Sequence, residues 1–280
     1  MIATGFVANG ARVYITGRDA AACRAAVEQL APRGSIRALP ANLQHLAECE
    51  KLVADLAALE PGGLHVLVNN AGATWGADFD THPDAAWTKL LTLNLQRAFT
   101  LSQLCLPLLE RAATAQDPAR IIHIGSIDGV RVPTLANFAY AASKAGLHHL
   151  SRHMARDLGF RNVTSNVLAC GPFRTKMMKA TLDAVGDVLE GEIPLRRIGR
   201  DEDVAGSAMF LASKAGCVCP FVLCCRVAVL PCCLSLSNLA WYADETWNVR
   251  ADDEFSGTCR AYLNGALIRL DGGASLVAKI

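Results

Sequence analysis

Short apolar runs alternate with longer helical stretches along most of this chain, and that alternation is the strongest constraint on its fold. The runs Arg12–Thr16 (RVYIT), Ser35–Leu39, Leu64–Val68 (LHVLV), Arg120–Ile124 (RIIHI), Val163–Ala169 and Ala266–Leu270 read as strands. Between them, Asp19–Leu30, Leu43–Leu59, Ala85–Leu109 and Ala139–Leu158 carry helical spacing, with Asp19 placed as an N-cap. Strand–helix alternation predicts βαβ units, because parallel neighbours need a crossover to connect them. The near-continuous apolar character of LHVLV and RIIHI agrees, since such strands are covered on both faces. The expected fold class is therefore α/β, a doubly wound parallel sheet of the Rossmann type in an α/β/α sandwich.

Composition narrows the partners. Of 280 residues, 52% are hydrophobic and 19% charged, with a formal net charge of +1. No basic face follows from that balance, so nucleic acid is not expected as a partner. The first ten residues, MIATGFVANG, have neither a basic region nor a long apolar run, so no secretory signal is expected. The default is then a cytoplasmic, reducing setting in which the eleven cysteines are thiols. A membrane is not an expected partner, and no metal site is expected.

Two local patterns carry chemistry. Tyr140 and Lys144 are four residues apart at the start of a helix, hence on one face of it. An ammonium beside a phenol favours the phenolate, lowering its pKa from about 10 and fitting it for general acid/base work. A surface Tyr and Lys on an Ala-rich helix is the structural alternative. Fourteen residues earlier, the strand RIIHI runs into Gly125-Ser126. Ligands of open α/β sheets bind beyond the C-terminal strand ends, so Ser126 lies at the expected active edge, where its hydroxyl can hold a carbonyl oxygen.

In combination these residues resemble the short-chain dehydrogenase/reductase family. The resemblance rests on Asn69-Asn70-Ala71-Gly72, Asn94 in Leu93-Asn94-Leu95, Ser126, Tyr140-xxx-Lys144, Cys170-Gly171-Pro172-Phe173-Arg174-Thr175, the run Pro194–Ala205 and Asp271-Gly272-Gly273. It covers residues 1–216 and 261–280, with members of the 3-oxoacyl-carrier-protein reductase branch as the similar ones. It implies that Tyr140 exchanges the proton, Ser126 orients the substrate oxygen, Lys144 tunes Tyr140 and holds the nicotinamide ribose, and Asn94 holds a water in the proton relay. It also implies cofactor contacts from Asn70, Ala71 and Gly72 along the adenosine ribose, and from Gly171, Phe173 and Thr175 at the nicotinamide. Asn42-Leu43 stands where an Asp-hydrophobic pair commonly meets the adenine, and Cys170 stands where proline is usual. Arg18 follows the strand that ends near the adenosine ribose, where Arg accommodates a 2′-phosphate and an acidic residue binds free hydroxyls. The expected cofactor is therefore NADP (NADPH) ahead of NAD; the alternative for Arg18 is a solvated side chain beside an N-cap.

Two departures from the family stand out. A first strand with a Gly-rich turn is not recognisable, and Met1–Gly10 aligns with the helix that should follow it. In the order 3-2-1-4-5-6 that strand is central, so the strands holding Tyr14 and Leu67 must either shift together or remain unpaired. Cofactor binding by an N-terminally shortened chain is then expected to be weak. Residues 217–260 form a Cys-rich stretch, with seven cysteines from Cys217 to Cys259 and no sustained period. It reads as translated non-coding sequence outside the fold, as a true insertion that seeks a membrane, or as a metal site, although CxC and CC pairs lack zinc-module spacing.

The resulting expectation is an enzyme that interconverts a ketone and a secondary alcohol by NADP(H)-dependent hydride transfer. Its rivals are a weakly binding relic of such an enzyme and a membrane-associated reductase. The segment Met177–Leu195, with Met177, Met178, Leu182, Val185, Val188 and Leu189, lies where the family carries its lid. It implies an apolar or acyl-like small-molecule substrate, or else simply packs the lid helices together. Homo-oligomers, tetramers or dimers, are expected through the helices at Ala85–Leu109 and Ala139–Leu158.

Overall fold

The computed structural model describes residues 1–214 and 264–271. Residues 217–260, Gly272 and Gly273 therefore lie outside the described residues. The innermost strands are β4 (Ala119–Ile124) and β5 (Val163–Cys170), almost every residue of which is buried. Side chains alternate across a strand. Ile121 accordingly joins Cys105, Leu109, Met154 and Leu158 on one face of the sheet, while Ile122 joins Leu168, Phe173, Val204 and Leu211 on the other. The first set belongs to helices α5 (Arg97–Ala112) and α6 (Phe138–Leu158), the second largely to α8 (Asp201–Ala212), onto which α1 (Ile2–Ala8) packs through Ile2 and Phe6. The result is the expected three-layer α/β/α arrangement.

All described strand pairs are parallel. In the larger sheet the order is β3-β4-β5-β6, where β3 is Val66–Asn69 and β6 is Leu267–Leu270. Val68 faces Ile122, Ile122 faces Asn166, and Leu168 faces Ile268. The smaller sheet pairs β1 (Val13–Ile15) with β2 (Ile36–Ala38), Tyr14 facing Arg37. Of the two outcomes open to the strands of Tyr14 and Leu67, the structure takes the second: they belong to separate sheets. Both edges border a cavity of about 1810 Å³, lined by Val13, Tyr14 and Ile15 on one side and Val66, Leu67 and Val68 on the other. This explains why Val66, Leu67 and Val68 are only half-buried although their sequence reads as fully covered.

Helix α2 (Ala20–Leu30) starts where the sequence indicated, with the Asp19 carboxylate accepting from the Ala21 and Ala22 amides at 3.0 Å. Helix α3 (Leu46–Leu59) packs on α5 through Cys49 and Leu101. The expected continuous helix Ala85–Leu109 is instead α4 (Asp84–Leu91), a π-helical turn at Thr92–Gln96, and α5. Hydrophobic spacing does not register such a one-residue expansion, which is characteristic of functional positions.

Candidate active site

Ser126, Tyr140 and Lys144 converge at the C-terminal end of β4, all lining the same cavity. Gly125 prolongs the ladder by donating to Leu168 O at 2.8 Å, and the chain then turns into a short helical turn at Ile127–Gly129. Ser126 caps that turn, its Oγ accepting from the Asp128 amide at 3.2 Å. Helix α6 brings Tyr140 and Lys144 in on one face, as their spacing requires.

The electrostatics differ from the expectation. Lys144 is buried and its Nζ donates to Ile124 O at 2.7 Å, standing 5.7 Å from the Tyr140 ring centroid. Burial lowers its pKa to about 8. Burial also pushes the Tyr140 phenol up to about 12; the Ser126 hydrogen bond opposes this, and the Asp128 carboxylate adds to it. The expected lowering by Lys144 is therefore not what this geometry gives: desolvation of the phenolate dominates. Cys170, at the end of β5, is a protonated thiol, raised to about 11 by burial.

Asn94 sits in the π-helical turn, 1% exposed. Its Oδ1 accepts from the Ala73 amide at 2.8 Å, and its Nδ2 donates to Ala73 O at 2.9 Å and Ser143 Oγ at 3.0 Å. The side chain thus fastens the loop after β3 to α6. Its amide hydrogens are both used by protein acceptors.

The expected cofactor residues separate into two groups. Leu43, Asn70, Ala71, Gly72, Gly171, Phe173 and Thr175 line the cavity with Tyr140 and Lys144. A Cβ at Gly72 would lie 3.3 Å from Asn94 Oδ1 and 3.6 Å from Lys144 Nζ, so the backbone there passes close to both side chains and glycine keeps the space beside them open. Arg18 and Asn42 are not on that lining. Arg18 is exposed at the end of β1, and Asn42 closes a local turn by accepting from the Gln44 amide at 3.2 Å while its own amide donates to Glu48 at 2.6 Å. The expected lid is helix α7 (Lys179–Glu192) and its flanks. Met177, Met178 and Leu189 line the cavity, Leu182 packs on Ile193 and Ile198, and Val188 is exposed.

Sequence reasoning missed three further groups here. Arg97 donates to Leu43 O at 3.0 Å and Gln44 O at 3.1 Å, holding the cavity-lining loop. Asn137 donates to Asp128 at 2.9 Å. His148 accepts the Ser126 amide through Nε2 at 3.3 Å. None carries a motif signal, because each acts through a main-chain or local contact that only the fold creates. Among the described residues no group of three potential metal ligands occurs, and no helix is long and apolar enough to cross a membrane.

Residues 1–219 match the family described as Enoyl-(Acyl carrier protein) reductase. The chain is 40% identical over 218 residues to the rhamnolipids biosynthesis 3-oxoacyl-[acyl-carrier-protein] reductase of Pseudomonas aeruginosa, covering 77% of this chain and 85% of that one. It is 33% identical over 215 residues to the 3-oxoacyl-[acyl-carrier-protein] reductase FabG of Escherichia coli, covering 76% and 84%. Among solved structures, the Pseudomonas aeruginosa RhlG/NADP active-site complex superimposes with a TM-score of 0.80 at 34% identity, covering 98% of this chain and 91% of that chain.

Proposed function

The chain belongs to the short-chain dehydrogenase/reductase family, and from that premise we propose that it reduces a ketone carried on an acyl-like substrate, using NADPH, with Tyr140 as the proton donor. The observation that carries the reading is the meeting of Ser126, Tyr140 and Lys144 on one cavity at the C-terminal edge of the sheet. Two of the similar enzymes are named as acting on 3-oxoacyl carrier protein, and one similar structure is an NADP complex. The cavity has an apolar flank from Met177, Met178 and Leu189, which supports an acyl-like substrate.

Residues lining the cavity fit a dinucleotide: the side-chain-free backbone at Gly72, the Lys144 ammonium beside it, and Gly171, Phe173 and Thr175 on the same lining. When bound, the cofactor supplies the hydride. Ser126 Oγ holds the substrate oxygen at the edge of β4, and Tyr140 lines the same cavity. A phenol raised to about 12 is in its acid form at neutral pH, ready to give a proton to a developing alkoxide. In the reverse direction the same group would have to accept the proton as phenolate, so alcohol oxidation is expected to gain with rising pH. Arg18, exposed just after β1, is the residue we assign to a 2′-phosphate, because a guanidinium there pairs with that group.

The separation of β1 from β3 favours one second reading, in which the chain keeps these three side chains but binds the dinucleotide weakly. Fluorescence titration with NADPH, paired with turnover of a 3-oxoacyl thioester, separates the two. Saturable micromolar binding with turnover supports the enzyme; absence of both leaves the weak binder. In an active chain, Tyr140→Phe should cut turnover by about 100-fold or more while NADPH affinity stays within about twofold. Retained turnover would remove Tyr140 from its role.

A further inference from the structure

His148 is one turn beyond Lys144 on α6, 3% exposed, and its side chain touches no surface of the substrate cavity. Its Nε2 receives the main-chain N–H of Ser126 at 3.3 Å. An imidazole nitrogen that accepts is unprotonated, so the ring proton is on Nδ1. Nδ1 is buried and closes no well-aligned hydrogen bond. The ring fills the space on both sides of Ser126. A Cβ on Gly125 would collide with His148 Nε2 and lie 2.9 Å from its Cδ2, and one on Gly129 would meet its Cε1 at 2.8 Å. Val167 also crowds the Gly125 position, and the α6 backbone at Lys144 and Ala145 crowds that of Gly129, so the turn is packed tightly against β5 and α6 with His148 in the contact at both glycines. Lys144 and Arg152 on its own helix, and His123 from β4, are the charged or titratable groups that act on it electrostatically.

We infer that His148 is a positioning residue for the reaction: by accepting the Ser126 amide and wedging between Gly125 and Gly129, it fixes the turn that aims the Ser126 hydroxyl at the substrate oxygen and Tyr140. The inference rests on the role assigned to Ser126 above. It requires the imidazole to be neutral with a free Nε2, and it predicts that an isosteric acceptor replaces it. Glutamine presents an amide oxygen at nearly the reach of Nε2, whereas leucine fills the space and accepts nothing.

The test has two arms. Long-range ¹⁵N–¹H spectra of the full chain should show His148 as the Nδ1–H tautomer; an Nε2–H tautomer overturns the inference without any variant having to fold. In the kinetic arm, His148→Leu should lower kcat about tenfold with KM for NADPH within about twofold, and His148→Gln should recover most of the loss. In a Ser126→Ala background, His148→Leu should change kcat by less than about twofold, because a residue acting through Ser126 has nothing left to act on. An equal loss in both backgrounds, or failure of glutamine to rescue a folded protein, overturns the inference. If Ser126→Ala alone leaves turnover unchanged, the assignment of Ser126 falls, and the tautomer still decides the His148 contact.

Discussion

Under the proposed function, a single exposed guanidinium carries the choice between two cofactors. Arg18 is solvated at the end of β1, next to Asp19, whose carboxylate is occupied by the α2 amides. Asp19 therefore leaves Arg18 available to a phosphate, and a charge-assisted bond there adds affinity only for the phosphorylated dinucleotide. Arg18→Ala should weaken NADPH by about tenfold and NADH by less than about twofold, as read by fluorescence titration of each. Equal weakening of both would sink the 2′-phosphate assignment. Residue identity also accounts for what the sequence misjudged at Tyr140. Spacing places Lys144 on the same helix face as Tyr140, but spacing contains no information on burial. Burial dominates the phenol, and the Ile124 carbonyl takes the ammonium.

At the scale of elements, most of the fold was legible because strands and helices have different periods. All six expected strands occur with boundaries shifted by a residue or two, and Asp19 caps α2 as read. The π-helical turn around Asn94 was not legible, since it adds one residue without disturbing the apolar stripe. Neither was the contact role of His148, which depends on two glycines in a different element. The glycines before β3 offer a clean check on how much such local geometry stabilises. Gly63 has φ +103° and its Cβ would lie 2.6 Å from Leu108 O, whereas a Cβ on the adjacent Gly62 meets nothing within 4 Å. Gly63→Ala should lower stability by about 2 kcal/mol or more, since both the left-handed backbone and the α5 carbonyl resist a side chain. Gly62→Ala should change it by less than about 1 kcal/mol. Urea unfolding compares them directly, and equal effects would mean that α5 and the loop before β3 yield to each other.

At the scale of the whole molecule, two properties follow from how charge and pairing are distributed. Buried His123 and His148 are each lowered to about 4, chiefly by desolvation and then by Lys144. In the unfolded chain they protonate near the ordinary value of about 6.5. A depressed pKa contributes stability that is complete above the unfolded value and is lost as pH falls through the folded one. The acid limb should therefore run from about pH 6.5 to 4, with each histidine adding about 1.4 kcal/mol per pH unit while only the unfolded state binds its proton. His148→Gln should show a shallower limb in urea unfolding at pH 7, 6 and 5; an unchanged slope would remove the buried histidine as a cause. The second property is the division into two sheets. The β1–β2 pair is fastened to the end of α3 by Tyr14 Oη donating to Glu60 at 2.9 Å and by the Arg12–Glu60 ion pair at 3.0 Å, rather than by a ladder to β3. A unit without that ladder opens at lower free energy than the β4–β5 core. The amides of Val13 and Leu39, bonded across β1 and β2, should exchange at least about 100-fold faster than those of Gly125 and Val167, bonded across β4, β5 and β6. A dinucleotide reaching from Arg18 to Lys144 would span both sheets, so saturating NADPH should slow exchange at Val13 and Leu39 more than at Gly125 and Val167. Uniform protection before NADPH is added would show that the two sheets open as one, and an unchanged pattern after saturation would show that the ligand rests on the larger sheet alone.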